Sequence, residues 1–174
     1  MCYWLENNVK VLRKHYFFPI LLFFSLFVDG QISFIVSCFI PSSFTSTSFL
    51  FFYGFMILSL YFSEIASIWW AIFFGFCFDV YFLNTLGIAF MLFPLLQLVY
   101  SHYNQIILVN RLTRFFTFLL TILAFQLLAS LLEIFIIGIH FNGISVIVYE
   151  VAPSLLLNFL LYIGLQPLLE KVYL

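Results

Sequence analysis

Charged side chains are scarce in this sequence. Its 174 residues include six Lys or Arg and seven Asp or Glu, so 7% of the chain is charged, whereas 66% is hydrophobic. Soluble domains contain about 25% charged residues, so this scarcity excludes an ordinary soluble domain. Six scattered basic residues are also too few to follow nucleic-acid phosphates, and we expect no nucleic-acid partner. The composition predicts an all-α integral membrane protein, with a single membrane domain over residues 1–174 that contacts the lipid bilayer.

Motifs for catalysis and metal binding are also lacking. The three cysteines, Cys2, Cys38 and Cys77, have no spacing typical of a metal site or a disulfide framework. The sequence has no HExxH motif, no glycine-rich phosphate loop and no cluster of carboxylates. We therefore expect no metal site, no cofactor and no catalytic residue, and we expect that the chain is not an enzyme.

Long apolar runs are abundant instead, separated by short polar stretches. The run from Phe49 to Tyr81 is interrupted only near Ser63 and Glu64. A single helix over that run would be about 50 Å long, against a hydrocarbon core of about 30 Å, so we divide the run into two spans. The pattern predicts a bundle of six transmembrane helices. Their approximate bounds are residues 16–40, 46–62, 65–83, 86–103, 112–139 and 148–168.

The basic residues predict how these helices are oriented. Cytoplasmic loops of membrane proteins are enriched in Lys and Arg. With six spans and a cytoplasmic amino terminus, every Lys and Arg lies on the cytoplasmic side, whereas merging the second and third spans would place three of them outside. We therefore expect a multi-pass protein with both termini in the cytoplasm. The basic residues are Lys10, Arg13, Lys14, Arg111, Arg114 and Lys171.

One acidic residue lies within a long apolar hairpin, Ile68 to Tyr103, around which we expect the bundle to be organised. Asp79 follows Gly75 by four residues, so both lie on one face of a helix, where the glycine allows a neighbouring helix to approach closely. Gly87 opens the next apolar run and offers a second close approach. An ionisable residue in a span marks a pathway or partner site in one interpretation, and a polar contact between helices in the other.

Three further helices carry polar side chains at spacings of three or four residues. Asp29 is the acidic member of one such stripe, Glu133 of a second, and Asn158 is the amide of a third. The complete stripes are Ser25, Asp29 and Ser33; Gln126, Ser130 and Glu133; and Ser154, Asn158 and Tyr162. We expect these stripes to face other helices and to form interhelical hydrogen bonds.

Two intramembrane aspartates also allow a different chemistry. Asp29 and Asp79 are the minimum for an aspartyl-peptidase dyad, in which two carboxylates share a proton. The residues beside them do not resemble the motifs of membrane aspartyl proteases. A peptidase is distinguished from a protein with polar helix contacts by whether both residues must be acids.

These features together resemble one protein family. The chain has a short basic amino terminus and six predicted spans in 174 residues. The sequence DGQ at residues 29–31, and GFCFD at 75–79 followed by Gly87, are similar to those of the MreD family. The resemblance covers essentially the full chain.

The resemblance implies a function and a set of partners. It implies a non-catalytic membrane subunit of the cell-wall elongation machinery in the bacterial cytoplasmic membrane. Such subunits work with MreC, a single-span protein with an extracytoplasmic domain, and with other elongation proteins to position peptidoglycan synthesis and determine cell shape. Their fold is similar to that of the substrate-binding subunits of energy-coupling-factor vitamin transporters. The candidate packing and partner residues are Gly75, Asp79, Gly87, Asp29, Glu133 and Asn158.

A vitamin-binding subunit of such a transporter is the alternative function. These subunits usually carry an Ala-x-x-x-Ala pattern in the first helix, for docking on their coupling partner. The stretch from Tyr16 to Ile40 contains no alanine. This difference favours the MreD-like function.

Overall fold

All secondary structure in the computed structural model is helical over the residues that it describes, which are 2–41, 44–83, 87–107, 110–137 and 143–173. The connection between the third and fourth predicted spans, at Asn84 and Thr85, lies outside these residues. The helices are α1 (Cys2–Phe39), α2 (Leu50–Tyr61), α3 (Glu64–Phe78), α4 (Ile88–Ile107), α5 (Arg111–Ile137), α6 (Gly143–Val146) and α7 (Ala152–Tyr173). π-Helical turns extend α3 (Asp79–Leu83) and join α6 to α7 (Ile147–Val151). The predicted all-α fold class is confirmed.

Four helical stretches in the described part of the chain are long and apolar enough to cross a membrane. They are Phe17–Phe39, Glu64–Leu83, Arg111–Ile134 and Gly143–Gln166. The apolar stretches of α2 and α4 are shorter, at Leu50–Ser59 and Ile88–Tyr103. The second predicted span begins at residue 46, but residues 44–49 are not helical. The N–H groups of residues 47–49 donate to side chains of α1 and α7 instead, and the Thr45 N–H donates to the Tyr149 carbonyl.

α2 lies at the centre of the bundle. Its side chains over residues 50–59 are at most 7% exposed, and the helix contacts α1, α3, α4, α5 and α7. Phe52 packs on Phe125 of α5, and Phe55 packs on Phe93 of α4, each pair with ring centroids 5.1 Å apart. A helix that is apolar on all sides is a core helix. α2, rather than the predicted α3–α4 hairpin, is therefore the central element, because uniformly apolar sequence has no periodicity that distinguishes a central helix from its neighbours.

Large apolar side chains also cover the outside of the bundle. Phe24, Trp69 and Leu120 are 65%, 69% and 68% exposed, and they belong to three different helices. Extensive exposed apolar surface is unfavourable in water and marks contact with a membrane or a partner. Together with the helix lengths, these surfaces are those of a multi-pass membrane protein.

Candidate functional site

The candidate site is the place where the non-helical 44–49 segment enters the bundle. Ser48 and Phe49 of this segment are buried. Ser48 contacts Asp29, which precedes the end of α1 at Phe39 by ten residues, or about 15 Å of helix. Non-helical backbone inside a membrane bundle is tolerated only where protein or water satisfies its N–H and C=O groups. Polar side chains of α1 and α7 supply those partners here.

Asp29 of α1 holds the start of α2. Its side chain is 1% exposed and accepts hydrogen bonds through both oxygens. Oδ1 accepts from the Leu50 N–H at 2.9 Å and the Ser48 hydroxyl at 2.5 Å, and Oδ2 accepts from the Phe51 N–H at 2.7 Å. The Ser33 hydroxyl oxygen, one turn further along α1, accepts from the Ser48 N–H at 2.8 Å. Since the first N–H groups of a helix have no partner within it, Asp29 caps α2 from a neighbouring helix.

Asn158 of α7 binds the same segment from another side. It is fully buried, and its side-chain oxygen accepts a hydrogen bond from the Phe49 N–H at 2.7 Å. Its side-chain nitrogen donates to the Thr47 carbonyl at 2.8 Å and to the Ser154 carbonyl at 2.7 Å. The Ser154 hydroxyl oxygen accepts from the Thr47 N–H at 3.1 Å. Asn158 and Asp29 therefore meet at the start of α2.

A proline in α7 leaves one further acceptor for this segment. Because Pro153 has no N–H, it cannot donate to the Tyr149 carbonyl four residues earlier, as a helical residue would. The Thr45 N–H donates to that carbonyl at 2.9 Å. The Thr45 N–H thus bonds to the π-helical turn before α7, and the N–H groups of Thr47 and Phe49 bond to α7 itself. This alternation is that of an extended backbone laid along a helix.

Asp79 holds the start of α4 in the same way. It is the first residue of the π-helical turn after α3 and is fully buried. Oδ1 accepts from the Ala89 N–H at 2.7 Å, and Oδ2 accepts from the Gly87 and Phe90 N–H groups at 2.8 and 3.0 Å. Gly87 has a φ of +119°, which favours glycine. A Cβ at Gly87 would meet no described atom within 4 Å, so the backbone conformation requires this glycine, and the predicted close approach is wrong at this position.

Gly75 lies directly against the backbone of α4. A Cβ at this position would lie 2.7 Å from the Ala89 carbonyl oxygen and 2.9 Å from the Phe90 Cα. Backbone atoms cannot turn aside as a flexible side chain can, so a larger residue would push the two helices apart. Gly75 and Asp79 therefore act on the same residue of α4, since Asp79 bonds to the Ala89 N–H.

Glu133 of α5 takes no part in the hydrogen bonds described above at the starts of α2 and α4. The Ser130 hydroxyl, on the same stripe, donates to the Gln126 carbonyl of its own helix at 2.8 Å. The Gln126 side-chain oxygen is buried without a hydrogen-bond partner among the described residues. All three side chains line a cavity together with Glu150. This stripe thus borders open space, whereas interhelical hydrogen bonds are predicted for it.

Two contributors to the cap of α2 were not identified from the sequence. The hydroxyl of Ser48 and the backbone of Thr47 bind Asp29 and Asn158, but residues 46–49 are predicted to be helical. The run of Ser and Thr at residues 45–48 contained the signal. These residues favour the position before a helix over its interior, because their hydroxyls bond to local backbone.

Asp29 and Asp79 bind different helix starts and not each other. Both oxygens of Asp29 bind at the start of α2, and both oxygens of Asp79 bind at the start of α4. An aspartyl-peptidase dyad requires two carboxylates against one another. Both carboxylates therefore bind backbone N–H groups. The contact between them that the peptidase alternative requires is not formed.

Comparison with known proteins places the chain among cell-shape proteins. A family model described as rod shape-determining protein MreD matches residues 10–174. The cell shape-determining protein MreD of Streptococcus pneumoniae (strain ATCC BAA-255 / R6) is 32% identical over 167 residues, covering 95% of this chain and 100% of that protein. No solved structure matches the chain.

Proposed function

This chain belongs to the MreD family of rod shape-determining proteins, and we propose on that basis that it is a non-catalytic subunit of the bacterial cell-wall elongation machinery. In this proposal its partner is an MreC-like single-span membrane protein. Together with other elongation proteins, the pair positions peptidoglycan synthesis. The observation that carries the proposal is the family match over residues 10–174.

The geometry of the buried polar residues supports a structural role. Asp29, Asp79 and Asn158 each make three hydrogen bonds, and most of these go to backbone at the start of a helix. Polar groups that are fully engaged in this way fix the packing of a bundle. A bundle with a fixed shape suits a subunit that positions other proteins, and the family match favours this function over a vitamin-binding subunit.

The proposal includes six membrane crossings, with both termini in the cytoplasm. The distribution of Lys and Arg supports this orientation. α2 has only 12 residues, or about 18 Å of helix, but the 44–49 segment adds up to about 20 Å of extended chain. Together they can cross a hydrocarbon core of about 30 Å. In this topology the fold is similar to that of the substrate-binding subunits of energy-coupling-factor transporters.

Capture of the partner tests the proposed function. The full chain with an affinity tag is expressed at its native level, cross-linked in intact cells, extracted in mild detergent, and analysed by mass spectrometry. We expect enrichment of an MreC-like single-span protein over a control in which an unrelated multi-pass protein carries the tag. Enrichment of vitamin-transporter subunits, with no MreC-like protein, would overturn the proposal.

A further inference from the structure

A cavity of about 150 Å³ lies next to the start of α2, between α5, the end of α3, the 44–49 segment and the π-helical turn before α7. Its lining has an aromatic part, called the aromatic wall, and a polar part, called the polar wall. The aromatic wall consists of Phe49, Phe78, Phe82 and Phe125. The polar wall consists of Gln126, Ser130, Glu133 and Glu150, together with hydroxyl groups of the 44–49 segment and of α7. No residue on either wall takes part in capping α4.

The polar wall contains two carboxyl groups, those of Glu133 and Glu150. Among the described residues that line the cavity, none is Lys, Arg or His. The side-chain oxygen of Gln126 is buried, and no group in the described part of the chain donates a hydrogen bond to it. Unsatisfied buried acceptors are unfavourable, so the wall is suited to a ligand that brings positive charge and hydrogen-bond donors.

The two walls favour an organic cation over a metal ion. Calcium takes about six to eight oxygen ligands, whereas the described residues contain no group of three or more His, Cys, Asp or Glu that could hold a metal. Aromatic ring faces attract ammonium groups, and the aromatic wall provides such rings. Pockets for drug-sized ligands have volumes of about 300–1,000 Å³, so this smaller cavity fits a head group and not a vitamin-sized molecule.

We propose that this cavity binds the primary ammonium group of a small alkylamine, which is either a free amine or the ethanolamine head group of a phospholipid. The ammonium group donates hydrogen bonds to Glu133, Glu150 and the side-chain oxygen of Gln126. The aromatic wall contacts the ammonium group and the methylene groups of the ligand. This inference rests on the cavity alone and does not depend on the proposed function.

Thermal unfolding of the purified full chain in detergent micelles tests binding of the free amine. Ethanolamine hydrochloride is compared with ethylene glycol, a neutral molecule of similar size, at equal ionic strength. We expect ethanolamine to raise the unfolding midpoint by about 2 °C or more, because a ligand that binds only the folded state stabilises it. Loss of that rise is expected in Glu133→Gln/Glu150→Gln, whereas the matched control Glu64→Gln, at an exposed position outside the cavity, keeps it.

Lipid nanodiscs distinguish the head group from the free amine. The same midpoints are measured in phosphatidylglycerol alone and in phosphatidylglycerol with phosphatidylethanolamine. A rise in the unfolding midpoint that is abolished in the double variant supports the site. The experiment in which it occurs, with free amine or with lipid, identifies the source of the ammonium group. If the double variant does not fold, Glu150→Gln replaces it, since that side chain is exposed. The proposal is overturned if neither amine raises the midpoint, if ethylene glycol is equally effective, or if the rise persists in the variants.

Discussion

At the scale of single residues, the side chains of Asp29, Asp79 and Asn158 are each matched to the groups around them. Asp29 and Asp79 only accept hydrogen bonds, and both oxygens of each are used. Asn158 accepts one bond and donates two. An acid surrounded by donors and an amide between donors and acceptors cannot be exchanged for one another without placing like groups in contact. The charge and hydrogen-bonding pattern of these residues therefore matters more than their polarity alone.

Exchange of Asp79 for asparagine tests this matching. Because an amide still forms hydrogen bonds, the sequence alone predicts a mild effect. The structure predicts a larger one, since the new NH₂ group would replace an oxygen that accepts bonds from N–H groups of α4. A buried group left unsatisfied costs about 1–3 kcal/mol, so Asp79→Asn should lower the unfolding midpoint in detergent micelles. The exposed control Glu64→Gln should change stability by no more than about 0.5 kcal/mol. Equal midpoints for Asp79→Asn and the unmodified chain would contradict this interpretation.

At the scale of helices, the contact between α3 and α4 depends on one missing side chain. Gly75 faces backbone atoms of α4. Gly30 of α1 faces the ring of Tyr81, which is 44% exposed and can turn aside. Gly164 of α7 faces no described atom within 4 Å of a Cβ. Alanine substitution therefore places the same methyl group against backbone at Gly75, against a side chain that can move at Gly30, and into open space at Gly164.

The stabilities of the three alanine variants should rank in that order. Gly75→Ala should be the least stable, losing about 1–3 kcal/mol through overpacking. Gly30→Ala should lose less, and Gly164→Ala should be neutral or gain up to about 1 kcal/mol, because alanine favours helix more than glycine does. Thermal unfolding in one detergent gives the ranking. If Gly75→Ala proves as stable as Gly164→Ala, close packing at Gly75 does not hold α3 against α4.

At the scale of the whole molecule, the orientation of the six proposed crossings can be measured. Reporter proteins that are active only in the cytoplasm or only on the outer side are fused to the chain after successive spans. Fusions after His15, Asn110 and Leu174 should report the cytoplasm, and fusions after Thr45, Asn84 and Asn142 the outer side. The reason is that this arrangement keeps all Lys and Arg inside, whereas merging the second and third spans would place three of them outside. An external signal at Asn110 would show that α2 and α3 do not cross separately.

Composition and hydropathy were sufficient to predict helices and a membrane protein, and the resemblance at residues 29–31, 75–79 and 87 indicated the family. The residues Asp29, Asp79 and Asn158 also stood out, because polar side chains are rare in apolar helices. The hydrogen-bond partners of these residues could not be predicted, since hydrogen bonds between residues 29 and 50 or 47 and 158 depend on how the helices pack. A polar residue in an apolar run indicates that it needs a partner but does not identify that partner.

The central position of α2 was likewise not predictable. The candidate membrane spans in the described part of the chain are apolar on most of their surface, because lipid solvates the outer faces as readily as other helices do the inner ones. A soluble protein would carry polar residues on its outer faces, and those residues would distinguish a core helix from a surface helix. In a membrane bundle that contrast disappears, so burial has to be read from the structure.

The central claim is that polar side chains of α1 and α7 hold a non-helical segment inside the bundle. The Thr47 and Ser154 side-chain oxygens are 3.3 Å apart, so cysteines at these two positions are within reach of a disulfide. A control pair joins Thr47→Cys to Leu161→Cys, seven residues or about 10 Å further along α7. Both pairs are made in a chain whose native cysteines, Cys2, Cys38 and Cys77, are replaced by alanine. After mild oxidation of native membranes, mass spectrometry should find the 47–154 disulfide in high yield and little or none between 47 and 161. Absence of the first bond, or equal yields of the two, would contradict the claim.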